Sequence, residues 1–318
     1  MARSSATYVP YDLRPSKQIE RRILVDFLLA ARSAGLPVSS LPYVGMGGIK
    51  FVDFLMMHKF LGIKQFVSIE RDADVIERCK FNKPFGNISI YNGDVSDYVD
   101  EFDSGKPHIF WLDYDWALSQ NIFEDLIDLG SKLVTGSFLV VTVSGEASGP
   151  LRRLNDRERL RYFRDTLNDF SLDLSETHFS DASIRFAVST MLLRILVYSF
   201  RARHPIQFFP YIKVLYKDSM WMVTVGGYLG ETARGLSLAQ ELGEHLPFLT
   251  AWEGESFFQI PQFNITDSER RIFDLLVTDR PCDRSTARIV RKWGFDANFV
   301  RQYRNMIRYI PRYFETAW

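Results

Sequence analysis

The chain has 318 residues, 46% hydrophobic and 25% charged, a composition typical of a soluble globular protein and a length that suits a large domain with a smaller one. Lys plus Arg and Asp plus Glu both number 39, so the net charge is zero and points to neither a nucleic acid nor a membrane. Cys79 and Cys282 form no CxxC pair, and His58, His108, His178, His204 and His245 lack zinc-site spacing, so a reducing cytoplasm and no structural metal are expected. No signal-peptide-like core opens the sequence and no run of about 18 apolar residues occurs, so no membrane span is expected.

Residues 1–14 read as a polar arm, followed by a helix over 17–33 with Ser16 as its cap and Ile19, Ile23, Phe27 and Leu28 at helical spacing. Strand-like and helix-like runs then alternate. Strands are expected over 41–45, 65–70, 88–91, 108–112 and 137–143, and helices over 49–61, 72–81 and 118–129. Short β-branched runs bounded by Gly, Pro or Asp, with short connections, predict a mostly parallel sheet with helices on both faces. An Arg-rich helical insertion spans about 146–205, and two runs over 208–216 and 220–228 read as an antiparallel edge hairpin. A linker with a short helix follows over 231–263. From 264 the pattern is helical only: TDSE at 266–269 has capping-box spacing, and helices are expected over 270–277, 285–293 and 297–309. Three short helices with a glycine turn suit a winged-helix-like module at 264–318. The organisation expected is thus an N-terminal arm and helix (1–35), an α/β domain (36–230), the linker and the small helical domain.

Chemistry gathers at the strand ends. Gly45, Met46, Gly47 and Gly48 follow the first strand, where small residues let the backbone approach a ligand at a helix N-terminus. A tight strand-to-helix turn is the plain alternative. Glu70 ends the second strand, 22 residues after Gly48, where a carboxylate can accept from ribose hydroxyls. It could equally cap the next helix or pair with Arg71. Asp94, followed by Val95, comes after the third strand, where it can meet an adenine amino group or simply close an Asn-Gly turn. Asp113, Tyr114 and Asp115 follow the fourth strand. All would converge on the crevice at the carboxyl edge of the sheet.

The series YVGMGG, SIERD, NGD and FWLDYD resembles the ordered motifs of class I S-adenosylmethionine-dependent methyltransferases over about residues 40–145. The resemblance implies a doubly wound, Rossmann-like sheet of seven strands and S-adenosylmethionine as cofactor. Gly45, Met46, Gly47 and Gly48 would face its methionine part, Glu70 with Arg71 beside it would hold the ribose, and Asp94 and Val95 would flank the adenine. Asp113 would lie near the transferred methyl. Two positions depart from the family pattern: Tyr43 stands where an acidic residue is usual, and Ile49 where the third glycine is usual. Neither the Asn/Asp-Pro-Pro-Tyr motif nor a Pro-Cys pair is present, so the acceptor atom is open. Asp113 or Asp115 is the candidate base, with Tyr114 and Trp116 as candidate stacking surfaces for a flat acceptor or, on the plainer reading, packing residues.

Regions 151–213 and 264–318 each carry 11 Lys/Arg against 7 Asp/Glu. Basic side chains interleaved with Trp293, Phe299, Tyr303 and Tyr309 suit a nucleic-acid partner, or else a solvated helical face over an aromatic core. The reading is methyl transfer to a nucleic acid. The rivals are a catalytically inactive methyltransferase-like module that contacts a partner protein or DNA, and a dinucleotide-dependent oxidoreductase.

Overall fold

A computed structural model describes residues 14–102, 105–203, 205–243, 246, 248–250, 253–278 and 291–311. Five parallel strands lie where the apolar runs predict them: β1 (Tyr43–Gly45), β2 (Phe66–Glu70), β3 (Ile88–Asn92), β4 (Ile109–Ala117) and β5 (Phe138–Ser144). The edge hairpin is β6 (Ile206–Lys217) and β7 (Trp221–Glu231), with β7 antiparallel to both β5 and β6. A two-residue strand, β8 (Phe258–Gln259), then pairs with β6 in parallel. The order is β3-β2-β1-β4-β5-β7-β6-β8. The sheet is therefore mixed and has eight strands among the described residues, not the seven expected, because two paired residues leave no periodicity to read in a sequence.

The helices are α1 (Pro15–Ser33), α2 (Val52–Leu61), α3 (Ala73–Asn82), α4 (Val95–Glu101), α5 (Gln120–Lys132), α6 (Asp156–Leu167), α7 (Ile184–Ser199), α8 (Thr232–Gly243), α9 (Asp267–Thr278) and α10 (Ala297–Met306). Adjacent residues of β1, β4 and β5 enter opposite cores, as pleating requires. Tyr43, Trp111 and Val140 join the core that holds α1 and α2, while Val44, Leu112 and Val141 join the core that holds α5, α6 and α7. No helix among the described residues is long and apolar enough to cross a membrane.

α1 does more than precede the domain. It is buried on nearly every side, Lys17, Glu20 and Arg21 included. The expected cap by Ser16 is not found. Helical geometry begins two residues earlier than expected, at Pro15, and Asp218 in the β6–β7 turn accepts from the backbone N–H groups of Ser16 (3.0 Å) and Lys17 (3.1 Å). A carboxylate at a helix N-terminus satisfies free N–H groups and meets the positive end of the helix dipole. The hairpin turn thus pins α1 across the sheet.

The C-terminal region departs from expectation. Residues 285–290 of the expected helix over 285–293 lie outside the described residues, and among those described no strand follows β8 to make a wing. The capping box at α9 is formed, with Thr266 N–H donating to Glu269 at 2.7 Å. Phe273, Val300, Tyr303, Met306 and Tyr309 enter the same core as α1. Arg22 on α1 donates to the Ile310 carbonyl (3.2 Å), and Arg308 pairs with Asp26 (2.5 Å). Among the described residues this region holds α9 and α10, tied to α1 through Ile310 and Arg308, and the winged-helix expectation is not confirmed there.

Candidate active site

β1 is flanked by β2 on one side and β4 on the other, so the chain's progression across the sheet reverses there. Ligands of open α/β sheets bind at the carboxyl edge beside such a switch point. At that edge the turn from β1 into α2 runs through Gly48 at φ +56°, a left-handed conformation that costs glycine little. Gly47 has no room for a side chain, since a Cβ there would stand 2.6 Å from Ser68 Oγ and 2.9 Å from the Phe54 ring. The turn is tied to the end of β2. Gly47 N–H donates to Ser68 Oγ (3.2 Å), Gly48 N–H to Glu70 Oε1 (2.7 Å), and Ser68 Oγ to the same Glu70 oxygen (3.2 Å).

Glu70 is buried, and burial pushes its carboxyl above the ordinary range against the hydrogen bonds from Gly48, Ser68 and Cys79 that favour its ionised form. The same burial, with Glu70 beside it, pushes the Cys79 thiol up to about 12, so Cys79 is a packing residue and not a nucleophile. Register sets Glu70 opposite Asn92 on β3, and Gly93 N–H donates to the Glu70 carbonyl (3.1 Å). Asp94 follows as the N-cap of α4 and remains about half exposed, with Arg71 at 3.6 Å, while Val95 is buried beneath it. The Gly48, Glu70 and Asp94 positions therefore share one edge.

Asp113 lies two residues beyond Trp111, the register partner of Gly45. The buried Lys17 ammonium sits 2.7 Å from Asp113 Oδ2, 2.7 Å from Glu20 and 3.3 Å from the Tyr216 hydroxyl, above the Trp111 ring. The charge of Lys17 is held despite its burial, because Asp113 and Glu20 favour the ammonium. Glu20 itself accepts from Thr142 and Thr224. Asp115 is half-buried farther along β4, within an irregularity in the pairing with β5 between Asp113 and Ala117.

Several expected site residues take other places. Tyr114 is in the core on the far face of β4 and donates to Asp125 (2.8 Å), so it is not a stacking surface at the crevice. Strand alternation turns it away from Asp113. Trp116 is 57% exposed and Met46 packs half-buried at the edge of the α5 core. The Tyr114 contact carries a testable pH effect. Burial pushes Asp125 from 3.8 up to about 6, so between those values the folded protein holds a proton that the unfolded chain has released. That stabilisation is complete below 3.8 and is lost as pH rises through about 6, which at 1.36 kcal/mol per pH unit costs about 3 kcal/mol. Asp125→Asn keeps the acceptor without the charge. It is expected to gain about 1–3 kcal/mol at pH 7.5 and nothing at pH 3.5 in urea unfolding; an equal effect at both pH values would remove the argument.

Sequence reasoning missed Lys17, Glu20, Arg21, Asp53 and Ser68. Arg21 Nε pairs with Asp53 at 2.5 Å, both buried, in the first turn of α2. Burial, with Asp53 nearby, pushes the Tyr43 hydroxyl well above its ordinary value. The signal was the charged side chains of SKQIERR within the first apolar periodicity, at the three-and-four spacing that puts Lys17, Glu20 and Arg21 on one side of a helix.

A glycine turn clasped by an acidic strand end, in a doubly wound sheet closed by an antiparallel hairpin, defines a methyltransferase-like α/β protein. Residues 9–318 match the family described as "Putative O-methyltransferase", and the chain belongs to it. Among curated proteins none matches. Similar solved structures include Trm1 from Pyrococcus horikoshii in complex with S-adenosyl-L-methionine, at 15% identity over 70% of this chain and 58% of that one, TM-score 0.45. Another is the N-methyltransferase NodS from Bradyrhizobium japonicum WM9 in complex with S-adenosyl-l-homocysteine, at 12% identity over 69% of this chain and 90% of that one, TM-score 0.41. The chain spans less than two thirds of the Trm1 chain, 58%.

Proposed function

We propose that this chain binds S-adenosylmethionine in the crevice astride β1 and transfers its methyl group to an oxygen acceptor. The observation that carries this reading is the Gly48–Glu70 clasp with Asp94 and Asp113 along the same edge. The donor set fits the cofactor: Glu70 and Asp94 are acceptors for the hydroxyls and amine of an adenine nucleoside, and the glycines leave its backbone approach open. When bound, the cofactor supplies an electrophilic methyl on a sulfonium. The chain's own residues then orient it, exclude water and take up the acceptor proton, for which Asp113 and Asp115 are the carboxylates in the second half of β4.

A nucleic acid is the acceptor class this reading favours. Arg152, Arg153, Arg157 and Arg161 are exposed on the segment that leaves β5 and braces β4 through Ser148 Oγ and Ala117 N–H (3.0 Å). Exposed arginines beside a crevice suit a phosphate backbone. Others are engaged within the fold, Arg159 with Asp181 and Arg194 with Asp173 in the insertion, and Arg270 and Arg308 in the C-terminal region. The grip is accordingly assigned to the rim of the crevice. Methyl-tritiated cofactor offered with total RNA, genomic DNA or a panel of small hydroxyl compounds tests both halves. Label in RNA or DNA that falls on Arg152→Glu/Arg153→Glu is expected. Label confined to a small hydroxyl compound would remove the nucleic-acid half and leave the methyl transfer.

A further inference from the structure

The mechanism above does not use the buried charges of α1, yet α1 brings a cation to the carboxylate assigned to the transfer site. Lys17 is 4% exposed and Asp113 20%, so their 2.7 Å pair joins a fully buried ammonium to a carboxylate that solvent partly reaches. Lys17 is held from four sides. Its own backbone N–H is fixed by Asp218, Glu20 and Tyr216 bracket its ammonium, and the Trp111 ring lies 4.9 Å away. Glu20 is anchored in turn by Thr142, which also accepts from Trp111 Nε1 (3.2 Å), and by Thr224. The chain of contacts runs from β4 through β5 and β7 to α1, and its exposed end is Asp113. A lysine needed only for packing would be simpler as a methionine, since burying an ion pair gains little over an apolar pair.

We propose that Lys17 is a positioning residue that fixes the Asp113 carboxylate at the crevice and offsets its charge there, which makes α1 a working part of the cofactor site. This rests on the assignment of Asp113 to the neighbourhood of the transferred methyl. Its consequence is electrostatic. S-adenosylmethionine and S-adenosylhomocysteine differ by one methyl and one positive charge on sulfur, so a paired Asp113 limits the preference for the charged form, and an unpaired one raises it.

The test is titration calorimetry of the full chain with each of the two ligands, beside a thermal melt of every variant. In Lys17→Met the ratio of affinities, charged over neutral ligand, is expected to rise by about tenfold, the scale of one charge a few ångströms away in a partly buried site. Asp113→Asn is expected to lower it, and Lys17→Arg to restore the wild-type ratio. Should Lys17→Met fail to fold, Lys17→Met/Glu20→Gln removes the buried pair together and is expected to shift the ratio in the same direction. A folded Lys17→Met or double variant with an unchanged ratio would overturn the proposal and leave Lys17 structural, since a packing defect weakens both ligands alike. If the wild-type chain binds neither ligand, the cofactor reading itself fails, a result separable from any change in ratio.

Discussion

Glu70→Ala is expected to weaken S-adenosylmethionine binding at least about 100-fold, because a hydrogen bond to a charged group contributes roughly 1.5–3 kcal/mol and Glu70 is placed to accept more than one from a ribose. It also strips Gly48 N–H and Ser68 Oγ of their acceptor, so a stability loss of about 1–3 kcal/mol accompanies it. Glu70→Gln separates the two effects. Its amide oxygen still accepts from Gly48, so the melt stays near wild type, while the NH2 group faces ribose donors and affinity still falls. The pH dependence has a definite sign. Burial raises the Glu70 carboxyl above its ordinary 4.5, and the ionised form is the one that accepts twice. Affinity should therefore fall as pH drops through a value above 4.5, and Glu70→Gln should abolish that dependence. Calorimetry across pH on the three proteins reads all of this, and a Glu70→Ala protein that binds like wild type would end the assignment of the site.

The glycine turn, Glu70 and Asp94 were legible because each lies where a short apolar strand gives way to Gly or Asp, whereas Asp113 lies inside β4, which runs on to Ala117. Their convergence followed from the parallel order alone. Side-chain direction was less accessible. Tyr114 and Asp113 are neighbours in sequence and face opposite cores, and only the phase of β4 against the sheet decides which of them meets the crevice. The largest omission was α1. A sequence shows that Lys17, Glu20 and Arg21 share one side of a helix, but their partners Asp113, Thr224 and Asp53 are 96, 204 and 32 positions away. Contacts of that range follow from tertiary packing and leave no local pattern. The aromatic and basic interleaving near the C-terminus had two readings, and the packing of Tyr303 and Tyr309 into the α1 core accounts for those aromatics without a ligand.

The pair between Arg21 and Asp53 carries the second large effect. Both side chains are under one tenth exposed and 2.5 Å apart. Removal of one partner from a buried pair leaves an uncompensated charge and costs about 3–5 kcal/mol, whereas replacement of both by neutral groups costs far less. Arg21→Met is therefore expected to lower unfolding stability by about 3–5 kcal/mol, and Arg21→Met/Asp53→Asn to recover most of it, a coupling of at least about 2 kcal/mol in urea unfolding. Strictly additive single variants would show that the two charges do not sense each other. The position of Asp53 adds a functional arm. It lies in the first turn of α2, two residues past Phe51 at φ 49°, so the pair fastens α1 to the segment that leaves the glycine turn. Loss of that fastening should weaken cofactor binding several-fold in Arg21→Met, while Asp125→Asn, buried against the opposite face of the sheet, should bind as the wild type does. A site made only of strand ends would treat the two variants alike; a site that includes α1 would not.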